Sequence, residues 1–398
     1  MRRTVVIPML QLQSGAPGGS TRIAWDEALQ LTRLGHDVWV VAPDVVGGAP
    51  EREEHDGIQV LRYPLPTYAA LDPRRASAHQ RATATLLRNQ LKRPIDVVHG
   101  HSPLQYAGAF SAASPRTRLV YTVHSPAALE AKASAPAAAG FARVRVRAQA
   151  AMLRRVERKI LDRSQVVHVL STYTERLLVA EHALAPERMT RIPGWVDLER
   201  FKPVGDRIGL RGSLGWPEGR VLFTLRRLVP RMGLDRLLRA FCEVRKATRD
   251  VSLVIAGDGP LRGSLESLAS DLGLSGSVRF EGRVSDEALP KMYASADTFV
   301  LPTAELECFG LIALEALASG RPVLATPVGA IPEVVGAVEP RWLSANEGVP
   351  ALTVLLSDWL AGRLPVHAPA DLRAFVERGY SERRRLAELI AVALGDAP

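Results

Sequence analysis

Short apolar, β-branched runs alternate with helical stretches along almost the whole chain, and this rhythm constrains the fold more than any other feature. In the first half, residues 5–9, 38–42, 58–63, 96–99, 119–123 and 166–170 read as strands. Residues 21–34, 76–91, 103–112 and 141–161 read as helices between them. A further helix runs to His182, with Ser171 as its cap and Glu175 in its first turn. Near Pro193 a linker-like run, PGWVDLERFKP, interrupts the pattern. A second set follows, with strands at 221–225, 252–256, 278–281, 298–301 and 323–325 and helices at 234–247, 261–272, 286–295 and 309–319. Strands separated by helices pair in parallel through right-handed crossovers. The expectation is an α/β protein with two doubly wound parallel-sheet domains of similar size, residues 1–200 and 201–378, facing a cleft. A terminal helix, 379–398, is expected to return to the first domain. Ligands of such sheets sit at the carboxyl ends of strands, beside the point where strand order reverses.

Composition narrows the partners. No run approaches the roughly 18 apolar residues of a membrane span, and residues 1–10 read as a first strand rather than a signal peptide. Two cysteines, Cys242 and Cys308, make no disulfide framework and point to the cytoplasm, with Cys308 a packed thiol. A net charge of +9 suits acidic small molecules, anionic membrane or nucleic acid. With no nucleic-acid motif and 6% aromatic residues, nucleic acid is not an expected partner.

The densest chemistry lies in LPTAELECFGLIALEALASGRPVLATPVGAIPEVV, residues 301–335. A short strand breaks at Pro302, and a helix restarts near Phe309. Glu307 precedes that helix and Glu315 lies within it, roughly 9 Å along its axis. Between them lie the backbone N–H groups of Phe309, Gly310 and Leu311, and a helix start after a strand is a ready anion site. A ligand with hydroxyls at both ends and phosphates in the middle, such as a nucleoside-diphosphate sugar, suits this arrangement.

This stretch resembles the glycosyltransferases of the two-domain GT-B fold numbered family four. Their mark is Glu, seven residues, Glu, with Phe-Gly-Leu after the first Glu and a Gly-x-Pro-Val-x-Ala strand following; here these are Glu307, Phe309–Leu311, Glu315 and residues 320–325. The resemblance is tight over 221–335 and loose before 200. It implies that Glu307 acts on the donor sugar and that Glu315 bonds the ribose. In the family's Gly-Arg-Leu-x-x-x-Lys-Gly loop, an Arg and a Lys grip the donor diphosphate. Here Arg227 stands at the Arg but Met232 at the Lys, with Arg231 the expected substitute. Gly257, in the Ala-Gly-Asp-Gly-Pro turn, and Val284 fall where the family frames the nucleotide. Gly18 and Gly19, after strand one, match the loop that reaches donor and acceptor. His124, in YTVHSP, resembles the histidine facing the donor sugar, while His101 is placed on the acceptor side. A zinc site at His99 and His101 lacks an obvious supporting carboxylate, and no two aspartates stand two apart, so no metal or other cofactor is expected.

These features imply a metal-independent, retaining glycosyltransferase moving a sugar from a nucleotide donor to a glycan, lipid-linked or small-molecule acceptor hydroxyl. Two alternatives share the architecture: a phosphorylase using inorganic phosphate, and a catalytically silent nucleotide-sugar-binding partner. The helix at 141–163 holds eight basic residues against two acidic ones, which suits peripheral contact with an anionic membrane at its inner face.

Overall fold

A computed structural model describes residues 1–10, 19–45, 47–64, 73–135 and 140–396. Two compact units emerge. The first comprises Met1–Lys132, Ala137–Pro193 and Arg383–Pro398, and the second Ala133–Pro136 with Gly194–Glu382. The main boundaries thus fall at 193/194 and 382/383, against the 200/201 and 378/379 expected from sequence.

In the first unit the strands are β1 (Thr4–Pro8), β2 (Asp37–Asp44), β3 (Arg52–His55), β4 (Ile58–Pro64), β5 (Val97–Gly100), β6 (Arg118–Val123), β7 (Val166–Val169) and β8 (Met189–Arg191), in the order β3-β4-β2-β1-β5-β6-β7-β8. All neighbours pair in parallel except β3 with β4. Val5, Val6, Val40, Val41 and Val98 are fully buried, as strands covered on both faces require. Strand β3 has no apolar alternation; Arg-Glu-Glu-His makes an edge, and Asp56 and Gly57 turn it into β4 with φ of 51° and 79°. Charge concealed that strand from the periodicity.

The second unit holds β9 (Arg220–Leu225), β10 (Val251–Ala256), β11 (Val278–Gly282), β12 (Thr298–Leu301) and β13 (Val323–Ala325), all parallel, in the order β11-β10-β9-β12-β13. Phe223, Tyr293 and Phe299 pack edge-on or tilted in its core, with centroids 5.2–5.7 Å apart. Strand order reverses at β1/β5 in one unit and at β9/β12 in the other, and the loops leaving those four strands hold most of the residues singled out above.

The helix Thr172–His182 begins as expected, with the Ser171 hydroxyl accepting from the Thr174 amide at 3.1 Å. Helices at Ala127–Ser134, Arg207–Ser213, Val349–Leu360 and Pro369–Tyr380 were not anticipated, being short or lying outside the strand–helix rhythm. In the helix Gly140–Arg163 the basic side chains of Arg154 and Arg158 donate to the carbonyls of Glu181 and His182. Among the described residues no helix is long and apolar enough to cross a membrane.

Where β10 ends, Gly257 adopts φ 110°, and a Cβ there would collide with the Arg226 carbonyl. Gly263, in the helix Arg262–Asp271, faces open space with no positive φ. Gly257→Ala should cost at least ~2 kcal/mol in chemical denaturation, and Gly263→Ala should gain about 0.5–1 kcal/mol. Equal effects of the two would show that the β10 exit is not the tight crossing described.

Candidate active site

The second unit's strand ends form a crown of interlocked loops. The loop after β9 presses on the loop after β12, where the amides of Ala304 and Glu305 donate to the Arg231 carbonyl at 2.9 and 3.1 Å. It also meets the β10 exit, through Leu228 N–H to the Asp258 carbonyl at 3.0 Å, while the Gly257 amide donates to the Gly282 carbonyl at 2.7 Å. Arg227, Arg231, Gly257, Val284, Glu307, Phe309, Gly310 and Leu311 therefore share one edge of one sheet, and Glu315 lies about one helical turn inside the helix Leu311–Ala318.

At the strand reversal, Arg226 is buried and donates through Nη2 to Glu307 Oε2 at 2.8 Å and to the Thr303 hydroxyl at 2.5 Å. Its Nε has no acceptor among the described residues. The residue before Glu307, Leu306, is held at φ 56°, an unfavourable conformation for a branched side chain. Arg231 Nη1 donates to its carbonyl at 2.7 Å, and Ala330 N–H donates to the Glu307 carbonyl at 2.8 Å. Glu307 is thus fixed from its side chain and from both sides of its backbone. The pairing of Arg226 with Glu307 has no signature in the sequence, since the two residues lie 81 positions apart. Met232 is buried, so that position offers packing and no charge. Arg227 and Arg231 converge instead, both donating to the Ser134 hydroxyl, at 3.1 and 3.2 Å.

The helix start differs from the expected one. Gly310 sits at φ 87° as N-cap, so the helix runs Leu311–Ala318 and the first amides without helical acceptors are those of Leu311 and Ile312. Phe309 lies before the cap, its buried ring 6.1 Å from that of Tyr380. Glu315 is buried and accepts from the Tyr293 hydroxyl at 2.8 Å. Val284 is half-buried at the β11 exit.

In the first unit Gly19 opens the helix Gly19–Arg33, whereas Gly18 lies outside the described residues. That helix supplies what sequence reasoning missed: a carboxylate for the histidines. Glu27 Oε1 lies 2.6 Å from His99 Nδ1 and Oε2 lies 3.0 Å from His101 Nε2, all three residues buried. His101 Nδ1 reaches His124 Nε2 at 3.0 Å. On the other side His99 Nε2 meets the Thr122 hydroxyl at 2.7 Å, which meets His168 Nδ1 at 2.9 Å, and His168 Nε2 donates to the Ile192 carbonyl at 2.8 Å. Ligand-type atoms of Glu27, His99 and His101 lie within 4.8 Å of one another, a spacing that could hold a cation, yet each is already hydrogen-bonded within the group. Glu27 stands 72 residues from His99, on a helix whose only cue was its inward face.

Electrostatics follow from burial. Burial alone would raise the Glu27 carboxyl, but His99 and His101 more than offset it and hold it at about 2. Burial, then His99, lowers His101 to about 4 against the pull of Glu27. Burial likewise lowers His168 to about 3, and His124 falls well below the usual imidazole range through burial and then the neighbouring imidazoles.

Comparison with known proteins accords with this geometry. Residues 207–380 match the family model described as glycosyl transferases group 1, and residues 17–200 match that of Glycosyltransferase Family 4. A D-inositol 3-phosphate glycosyltransferase of Catenulispora acidiphila is 30% identical over 345 residues, covering 83% of this chain and 79% of that protein. The chain belongs to this glycosyltransferase family. A GDP-mannose-dependent alpha-(1-6)-phosphatidylinositol monomannoside mannosyltransferase of Mycolicibacterium smegmatis is 35% identical over 212 residues, 51% of this chain, and the match spans only 55% of that protein's length. Among solved structures, sucrose-phosphate synthase from Thermosynechococcus elongatus superposes with TM-score 0.80 at 21% identity over 98% of both chains. Anabaena HepE in complex with UDP-glucose does so with TM-score 0.72 at 20% identity, over 98% of this chain and 99% of that one. The fold is GT-B.

The buried histidines predict an acid-sensitive first unit. As pH falls below 6.5, the unfolded chain protonates these rings while folded His101 and His168 stay neutral until about 4 and 3. Their stabilising contribution is full above the unfolded value and is lost progressively below it. Glu27 adds a further loss between 4.5 and about 2. Calorimetric melts from about pH 7 down to about pH 4 should therefore show the first unit losing on the order of several kcal/mol. Constant stability over that range would contradict burial of neutral imidazoles.

Proposed function

We propose that the protein transfers a sugar from a nucleoside-diphosphate donor to an acceptor hydroxyl, with retention at the anomeric carbon and without a metal ion. The observation that carries this reading is the clustering of Arg226, Arg227 and Arg231 with Glu307 and the start of the helix Leu311–Ala318, at the strand reversal of the second sheet. Guanidinium groups and unpaired amides there suit the charge that develops on a departing diphosphate. In this reading Arg227 and Arg231 hold the diphosphate, together with the Leu311 and Ile312 amides. The leftover Nε–H of Arg226 offers one more donor. Glu307, held by Arg226 and Thr303, meets the sugar hydroxyls. Glu315, steadied by Tyr293, accepts from the ribose, and Gly257 and Val284 lie beside the base. From the first unit, His124 meets a sugar hydroxyl. His101, expected from the sequence on the acceptor side, is buried with both ring nitrogens engaged by Glu27 and His124, so it acts through His124 and does not meet the acceptor itself.

The transfer balances without an enzyme-bound intermediate. The acceptor oxygen bonds to the anomeric carbon on the face that the phosphate oxygen leaves, and the acceptor proton passes to that departing oxygen. Diphosphate stabilisation by fixed dipoles replaces the divalent ion used elsewhere for this purpose. Because related proteins include GDP-mannose-dependent mannosyltransferases, GDP-mannose is the first donor to assay.

Turnover of a nucleotide-sugar panel in excess chelator, with the product anomer read by proton NMR, tests the proposal. Nucleoside diphosphate release coupled to a product with the donor's anomeric configuration is expected at undiminished rate. An inverted product, or activity that disappears with chelator and returns with manganese, would refute it.

A further inference from the structure

The six contacts joining Glu27, His99, His101, Thr122, His124, His168 and the Ile192 carbonyl form one unbroken chain, and the Glu27 carboxylate within it and the Ile192 carbonyl at one end set the direction of its two arms. We propose that Glu27 is a positioning residue: it sets the direction of this chain so that His124 presents an unprotonated Nδ1, able to accept a hydrogen bond from a sugar or acceptor hydroxyl. This inference rests on the glycosyl-transfer reading for its purpose but not for its geometry.

The direction follows atom by atom. An ionised carboxylate only accepts, so His101 Nε2 must carry the hydrogen that meets Glu27 Oε2. His101 is neutral, its pKa pushed down to about 4, and its Nδ1 is therefore bare. The 3.0 Å contact to His124 then requires the hydrogen on His124 Nε2. His124, lowered well below the ordinary imidazole range, is neutral as well, which leaves its Nδ1 as a lone pair. Of the side chains in the chain, His124 alone is not buried, so the one accessible ring is the one whose polarity the chain fixes.

The other arm balances the charge. The Ile192 carbonyl only accepts, so His168 donates from Nε2, and its bare Nδ1 takes the Thr122 hydroxyl hydrogen. The Thr122 oxygen must then accept from His99 Nε2. The six contacts need six hydrogens, while four neutral rings and one hydroxyl bring five. The sixth lies in the stretch from Glu27 to Thr122, beside the 2.6 Å carboxylate contact, and compensates the buried negative charge. A glutamine at position 27 satisfies the same six contacts without the extra proton. Its amide donates toward His99, its carbonyl still accepts from His101, and the direction toward His124 is preserved. An apolar residue removes the acceptor and leaves the His101–His124 pair free to reverse.

The test uses the full chain labelled with ring-15N histidine, with the His124 resonance assigned by its loss in His124→Asn. Wild-type protein should show His124 protonated at Nε2 only, as should Glu27→Gln. Glu27→Leu should show a mixture of tautomers. In transfer assays Glu27→Leu should lower kcat by about 10–100-fold with a smaller change in donor KM, and Glu27→Gln should restore most of the loss. His124 protonated at Nδ1, or at both nitrogens, in the wild type would overturn the proposal even if the Leu variant fails to fold. So would a Glu27→Leu spectrum and kcat matching wild type. Absence of transfer in wild type would instead sink the functional reading, leaving the tautomer result to stand or fall by itself.

Discussion

A parallel sheet covered on both faces leaves one place for polar chemistry: the carboxyl ends of its strands, where the chain leaves the core. Both units obey this constraint. Valines and leucines fill the strand bodies, while the residues that ionise or donate cluster at the reversals β1/β5 and β9/β12. Most of the side chains discussed above inherit their place from that geometry, because the same crossover connections that force parallel pairing deliver loops to a single edge; Glu27 and Glu315 reach it from the helices that follow.

The two edges use different devices. In the second unit a partly buried ion pair, in which Arg226 is buried and Glu307 half-buried, sits beside a backbone strained at Leu306. Neither would persist alone, since a buried charge without its partner costs several kcal/mol and a left-handed leucine is unfavourable. The Arg231 guanidinium at the Leu306 carbonyl and the Ala330 amide at the Glu307 carbonyl hold the loop in this state. Rigidity there suits the role proposed for Glu307 at the hydroxyls of a sugar. In the first unit the device is a chain of imidazoles whose hydrogens are ordered by one carboxylate and one backbone carbonyl, which fixes the polarity of the ring at its end.

Much of the second unit was legible in the sequence because its instructions are local. Glu307, Gly310 and Glu315 fall within nine residues, and strands such as Thr298–Leu301 and Val323–Ala325 lie where apolar runs place them. Even there the helix start was misjudged by two residues, since Gly310 serves as a left-handed cap and not as a first-turn residue. What escaped was non-local. The partner of Arg226 lies 81 residues on, and the carboxylate for His99 lies 72 residues back on a helix with no motif of its own. Edge strand β3 and the helix Ala127–Ser134 escaped for the opposite reason, being too short or too charged to carry a period.

The central claim is that the crown at the ends of β9 and β12 binds the nucleoside diphosphate of the donor through protein groups alone. Calorimetric titration of nucleoside diphosphates in excess chelator, comparing wild type with Arg227→Ala and Glu315→Ala, tests it most directly. The account predicts binding by wild type, weakened by about 1–3 kcal/mol in each variant. Undiminished affinity in both variants would contradict it.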